Sequence, residues 1–320
     1  MPTQINTVLG TISSADLGPT FTHEHVTAAS SGSELDGTNP FDYEGKLLDV
    51  VAQMKELKAA GIASIIDPIP LDLGRKVEFM ADVSEASEVT IVCATGVYID
   101  HGPMAAYPPY FRMRSLDELT EIYVKEITEG IGPRRIKPGV IKCATGPDEI
   151  SKHEEKALRA ASRAHLQTGV PIVTHTTDGM LGPEQCDIFE SEGVPLKRVI
   201  IGHCSDSADL AYHRRIVERG AFIGFDRIGL ERWMRDEIKV GAVAALVAQG
   251  FTDQVVLSHD NVGCMHGWPN RPEMDDPDVK NKRSFTYILR EFIPALKAGG
   301  ISEETIQTIL VDNPRRFFEG

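Results

Sequence analysis

The chain repeats one local pattern: an amphipathic helical stretch, a glycine, then a short apolar run that ends in polar residues. In the clearest copy, Leu47, Val50, Val51, Met54 and Leu57 recur at helical spacing, Gly61 supplies a C-terminal stop, and an apolar run over 62–66 ends at Asp67. Gly169, Gly193, Gly220 and Gly250 precede further runs at 170–174, 199–201, 221–225 and 255–257. Strands that are apolar throughout and separated by helices imply a parallel sheet covered on both faces. Eight candidates end near His25, Asp67, Tyr98, Lys142, His175, His203, Asp226 and Asp260. Eight such units suit an α/β fold closed into a (β/α)8 TIM barrel better than an open doubly wound sheet, and no GxGxxG follows the first strand. Ser151-Lys152-His153-Glu154 has capping-box form and opens the helix after the fourth strand. No linker or low-complexity tract interrupts the 320 residues, so a single domain over 1–320 is expected. Three longer stretches, 27–43, 99–112 and 261–282, each follow a strand's C-terminal end, where a barrel builds its mouth.

Composition narrows the partners. Lys and Arg number 33 against 47 Asp and Glu, a net charge of −14 that repels nucleic-acid backbones and anionic membrane surfaces. No apolar run approaches the ~20 residues that span a bilayer, and the first ten residues lack a basic patch with an apolar stretch, so a cytoplasmic location is expected. The five cysteines form no CxxC pair, and a disulfide scaffold is not expected.

What ends the strands points to chemistry. Side chains alternate across a strand, so in Phe21-Thr22-His23-Glu24-His25 the two histidines share a face and Glu24 points away. Two histidines alone carry little weight, but His175, His203 and Asp260 also close apolar runs, and in a barrel these ends face one cavity. Four imidazoles and a carboxylate suit borderline divalent metals such as Zn, Mn, Fe or Co. Lys142 ends another apolar run, where burial disfavours its charged form; the free amine can then react with CO2 to give a carbamate able to bridge two metals. The alternative is a lysine paired with a nearby carboxylate.

The order HxH, Lys, His, His, Asp resembles the amidohydrolase superfamily. Thr22-His23-Glu24-His25, Ile141-Lys142-Cys143-Ala144, Thr174-His175-Thr176, Ile201-Gly202-His203, Leu257-Ser258-His259-Asp260 and Asp312-Asn313-Pro314-Arg315-Arg316 resemble the phosphotriesterase family across almost the whole chain. The resemblance implies two divalent ions, Zn or Co, Mn or Fe, bridged by carboxylated Lys142 and a hydroxide. By position, the buried ion takes His23, His25, Lys142 and Asp260, and the outer ion Lys142, His175 and His203. Asp226 is followed by Arg227 and only a short segment, 228–236, and Tyr98 matches the tyrosine that phosphotriesterase-like lactonases place beside the metals, so the lactonase branch is the nearer one.

That resemblance implies hydrolysis of a small-molecule lactone, an N-acyl-homoserine lactone or another γ/δ-lactone, with phosphotriester hydrolysis as a side activity, in a homodimer. Hydroxide attacks the carbonyl, the outer metal, Tyr98 and Arg227 stabilise the oxyanion, and Asp260 carries the proton to the leaving alkoxide. Cys264, Met265, His266 and Trp268, in the loop after the last strand, are the expected substrate contacts. His259 points to the opposite strand face from Asp260; Asp67, Asp206 and Asp226 either orient ligand histidines or cap helices; His153, His165 and His213 fall on helical segments and are expected to be solvated. Competing readings are a dedicated organophosphate hydrolase, a sugar-phosphate lactonase with Arg75, Arg112, Arg114, Arg227 and Arg271 as a cationic cluster, and a non-catalytic small-molecule binder on the same scaffold. Metal analysis separates the last from the enzymes: about two ions per chain are expected after purification with metal supplied, and none would favour the binder.

Overall fold

In a computed structural model, which describes residues 3–101, 105–268 and 276–320, eight apolar runs pair in chain order as one parallel sheet. The strands are β1 (Thr20–Phe21), β2 (Ser64–Asp67), β3 (Thr90–Gly96), β4 (Val140–Thr145), β5 (Ile172–Thr176), β6 (Val199–Ile201), β7 (Phe222–Phe225) and β8 (Val255–Leu257). The two outermost strands meet as well. The Asp260 amide donates to the His23 carbonyl at 3.1 Å and the Thr22 amide to the Leu257 carbonyl at 3.5 Å, which closes the (β/α)8 barrel. Helices between the strands cover the outside. The one over Lys152–Thr168 begins with the capping box of Ser151 and Glu154 and ends at Gly169, whose φ of +76° a side chain would resist.

Alternation along each strand divides the core in two. Ile65, Ile91, Ile141, Ile172 and Ile201 face outward and join the helices, whereas Ile66, Val92, Val140, Val173, Ile200 and Val256 fill the barrel interior. Ile5, from a hairpin pairing Gln4–Thr7 with Gly10–Ser13, packs with Phe317 and Phe318 of the Asn313–Glu319 helix into that inner cluster and seals the floor. Two residues beyond Val140 and Val173 on the same inward rows come Lys142 and His175. The interior is therefore apolar below and ligand-bearing at the mouth.

Several expectations are modified. The first strand keeps its barrel bonds beyond Phe21, through the Thr22 amide, the His23 carbonyl and the Glu24 amide, which donates to the Ile66 carbonyl at 3.0 Å; the backbone then pairs over His25–Ala29 parallel to Val262–His266, so parts of both stretches expected as loops form a ribbon. Lys142 is not strand-terminal, because β4 continues to Thr145. His165 and His213 are buried, not solvated: they lie on the inward faces of their helices, and each ring meets a carbonyl, Val170 at 2.8 Å and Cys204 at 2.9 Å. His153 is half-buried. All five cysteines are buried and free, and among the described residues no helix is long and apolar enough to cross a membrane.

Gly96, the last residue of β3, is in register with Lys142 and has φ +113°. A Cβ there would lie 1.9 Å from the Lys142 carbonyl oxygen, so β3 can approach the lysine-bearing strand only with glycine at this point. Gly96→Ala is expected to cost ~3 kcal/mol or more in urea denaturation. A loss within ~0.5 kcal/mol, the usual range of a harmless surface change, would contradict this account of the contact.

Candidate metal centre

Each of three histidines is aimed by a buried carboxylate. His23 Nδ1 lies 2.8 Å from Asp226 Oδ2, His203 Nδ1 lies 3.0 Å from Asp226 Oδ1, and His25 Nδ1 lies 3.0 Å from Asp67 Oδ1. With Nδ1 spent on a carboxylate, the Nε2 lone pair is the one left for a ligand. The three Nε2 atoms point at Asp260, at 3.9 Å from His23, 3.2 Å from His25 and 3.9 Å from His203. Asp226 also comes close enough to His23 and His203 to count among cation donors, but both its oxygens are already occupied by those rings. Asp67 and Asp226 thus orient histidines rather than cap helices. Asp67 also accepts the Val26 and Ile69 amides, which fixes the turn beyond β2.

The backbone contributes as well. His203 has φ +60° and Asp260 φ +54°, left-handed conformations that cost non-glycine residues energy and persist where surrounding contacts enforce them. Asp226 Oδ1 accepts the His203 amide at 2.7 Å. Glu24, facing away from the histidines, accepts the Ser258 hydroxyl, the His259 amide and the Asn261 amide at 2.8, 2.8 and 3.0 Å. His259 Nδ1 lies 2.6 Å from the same carboxylate, and its Nε2 accepts the Ile288 amide at 3.1 Å. His259 accordingly supports the turn that presents Asp260 and does not enter the site.

His175 packs edge-on against His203, with ring centroids 4.4 Å apart, and its Nε2 lies 3.1 Å from Thr177 Oγ1. Lys142, 2% exposed, reaches His23 Nε2 at 3.1 Å and the Thr174 carbonyl at 3.3 Å. Neither contact is a carboxylate, so the paired-lysine alternative finds no direct partner in its hydrogen bonds. Burial lowers the Lys142 amine to about 8, against the pull of Asp260 and Asp226. Roughly a tenth of such an amine is neutral at pH 7. Burial, then Lys142, takes His23 down to about 3. Burial also holds His175 well below the ordinary histidine range. His25 is opposite: burial disfavours its charge, but hydrogen bonds to Asp260 and Asp67 prevail and lift it to about 9. Asp260 stays ionised despite burial because His203, His25 and Arg227 surround it.

Arg227 donates Nε to Asp260 Oδ2 at 2.9 Å and Nη1 to Asp206 Oδ2 at 2.5 Å, so Asp206 serves the arginine, neither a histidine nor a helix end. The Tyr98 hydroxyl is 3.4 Å from both His175 nitrogens, and its amide is held by both Asp72 oxygens at 3.0 Å. Burial lifts the Tyr98 hydroxyl well above the ordinary phenol range, so it remains a donor.

His23, His25, Lys142, His175, His203 and Asp260 line one cavity of roughly 150 Å3 with Tyr98 and Arg227. Met265 and Trp268 contribute to its walls. Cys264 and His266, expected beside them, do not: the buried Cys264 thiol faces the Val26 carbonyl, and His266 packs against Phe41. The sequence reading missed Ile69, Leu73, Leu230, Arg232, Trp233 and Val262, although each follows a strand's C-terminal end, the one signal that could have flagged them. No described residue of 99–112 lines the cavity. Of the arginines considered for a cationic cluster, Arg227 lines the cavity, with Arg232 and Arg283 beside it, whereas Arg75 pairs with Glu126, Arg112 with Asp100 and Arg114 with Glu118, all outside it, and Arg271 lies outside the described residues. A wider depression of about 710 Å3 beside the N-terminal hairpin, lined by Leu9, Arg134 and Lys137 among others, gathers no ligand set.

The sequence matches the phosphotriesterase family over residues 3–318. It is 37% identical over 322 residues to a phosphotriesterase homology protein of Mycobacterium tuberculosis, covering 99% of this chain and 98% of that protein. It is 33% identical over 308 residues to an aryldialkylphosphatase of Saccharolobus solfataricus, covering 96% of each. The fold superimposes on a mutant PTE-like lactonase of Deinococcus radiodurans with a TM-score of 0.92 at 37% identity, over 98% of this chain and 99% of that one.

The histidine electrostatics carry a pH consequence. Without metal, His25 keeps its proton until pH rises through about 9, and a ligand needs that nitrogen bare. Divalent metal uptake by chelator-stripped protein is therefore expected to release protons and to tighten between about pH 6.5 and 8.5. Calorimetry with cobalt(II) in buffers of different ionisation enthalpy measures this. Affinity flat across that interval, with no proton release, would show that His25 is neutral beforehand.

Proposed function

The chain belongs to the phosphotriesterase family of metal-dependent hydrolases acting on ester bonds, and from that premise we propose that it opens lactones, with phosphotriester hydrolysis as a slower side activity. The substrate is an N-acyl-homoserine lactone or another γ/δ-lactone, and a cytoplasmic homodimer is the setting the family resemblance supports. The observation that carries the reading is the pairing of Arg227 with Asp260 at 2.9 Å in a small cavity that also holds Tyr98 and whose walls combine Ile69, Leu73, Leu230, Val262 and Met265 with Arg232, Trp233 and Arg283. A planar lactone carbonyl presents one ring and one tail, which Ile69, Leu73, Leu230, Val262 and Met265 can receive. A tetrahedral phosphotriester spreads three substituents and needs more room.

His23, His25, Lys142, His175, His203 and Asp260 fit a pair of divalent cations, Zn or else Co, Mn or Fe, because the donors mix nitrogen and oxygen, five of the six are buried, and carboxylates hold His23, His25 and His203 from behind. The Lys142 amine, once neutral, adds CO2 and loses a proton to become an N-carboxylate, a second anionic donor beside Asp260 in a site otherwise made of four imidazoles. When bound, two such cations supply a water that ionises near neutral pH and a Lewis acid for the carbonyl. Asp260 takes the proton from the attacking water and returns it to the alkoxide oxygen as the ring opens. Arg227 Nε keeps Asp260 ionised and oriented for that exchange. The Tyr98 hydroxyl, protonated throughout, donates to the oxygen that gains charge.

A dedicated organophosphate hydrolase is the second reading, favoured by the identity to the Saccharolobus aryldialkylphosphatase. Values of kcat/KM for a series of lactones against paraoxon decide between them: lactones are expected to lead, and a lead for paraoxon by orders of magnitude would reverse the assignment. Asp260→Asn is expected to lower kcat by ~10² or more with metal content largely retained. Turnover equal to the parent enzyme would remove Asp260 from the proton path.

A further inference from the structure

Lys239 violates two local rules at once. It is a lysine with 1% exposure, and it lies in the first turn of the Asp236–Ala248 helix, where the backbone dipole opposes a cation. Its contacts account for the placement. Nζ donates to the Arg227 carbonyl at 2.6 Å and to Asp236 Oδ1 at 2.8 Å. The Asp236 carboxylate accepts the Gly229 amide at 3.1 Å on each oxygen, and the Asp236 amide donates to Glu231, which pairs with Lys282. Gly229, at φ +83°, lets this segment lie directly on the chain at Lys282: a Cβ would sit 2.4 Å from that carbonyl. The segment between β7 and the helix is thus gripped at the carbonyl of residue 227, the amide of 229 and the carboxylate of 231. From it project Arg227, Leu230, Arg232 and Trp233, four of the cavity's walls. Arg227 and Arg232 both pack on the Trp233 ring, at 4.1 and 3.6 Å.

We propose that Lys239, paired with Asp236, is a positioning residue for Arg227: it fixes the height at which the guanidinium meets Asp260 and at which Trp233 walls the cavity. Buried ion pairs add little net stability, and their best-attested use is to select one arrangement among several. The kinetic part of the inference rests on the role given to Arg227 above; the structural part does not.

The test uses metal-loaded enzyme with activity expressed per bound metal. Lys239→Met is expected to lower lactone kcat about tenfold at unchanged metal content, yet by less than about twofold when Arg227 is already Met, because residues acting through one another are not additive. Equal losses in both backgrounds, or none in either, overturn it. A second readout is independent of activity. The chain has 2 tryptophans, so Trp268→Phe leaves Trp233 as the reporter, and Lys239→Met is expected to raise its acrylamide quenching about twofold as the segment loosens. Unchanged quenching overturns the clamp whatever the kinetics. If Arg227→Met alone keeps full activity, or no lactone is turned over, the functional reading fails and the quenching result alone decides the clamp. Should Lys239→Met not fold, Lys239→Met/Asp236→Asn leaves no unpaired buried charge and carries the same two readouts.

Discussion

One buried carboxylate, Asp226, holds the centre of this molecule together. Its two oxygens take the Nδ1 positions of His23 and His203, residues that follow β1 and β6, and one oxygen also takes the His203 amide. Burying a carboxylate is costly unless its lone pairs are filled, and here three donors fill them. The return is directional: both rings are locked with Nε2 toward Asp260. Burial alone would raise the Asp226 carboxyl, but His203 and His23 hold it well below the usual range, so it stays an acceptor. Asp67 repeats the arrangement for His25.

Around that frame the site stores strain in a few backbone positions. His203 and Asp260 both adopt left-handed conformations, and each is enforced by a carboxylate that collects neighbouring amides, Asp226 for the first and Glu24 for the second. Glu24 lies between the two histidines in sequence but acts on the far side of the strand, tying the HxH segment to the turn bearing Asp260. Strand alternation therefore does double work: inward residues face the cavity while the residue between them braces it from behind.

The membership in a family of ester hydrolases agrees with this geometry; a structure bearing a lactonase name shares the barrel, and a protein named aryldialkylphosphatase is similar in sequence. Above the frame stand the walls of the cavity. Those walls come from the turn after β2, the short segment after β7 and the stretch after β8, three segments remote in sequence. The Lys239 and Asp236 pair links the last two, because the segment it grips also rests on the chain at Lys282.

The sequence by itself determined the barrel and the candidate ligand set. Apolar runs spaced by amphipathic helices dictate parallel strands, and a period of two puts His23 with His25 on one face and sends Glu24 to the other, because these are local consequences of backbone geometry. The ribbon of His25–Ala29 with Val262–His266, the burial of His165 and His213, and the turning away of Cys264 and His266 were not legible, since each depends on which distant segment packs against the residue. The same holds for Asp226 bridging two strands, for the apolar wall residues and for Lys239 beneath Arg227. Periodicity specifies which face a side chain takes; only closure of the barrel brings together residues some two hundred positions apart, as His23 and Asp226 are.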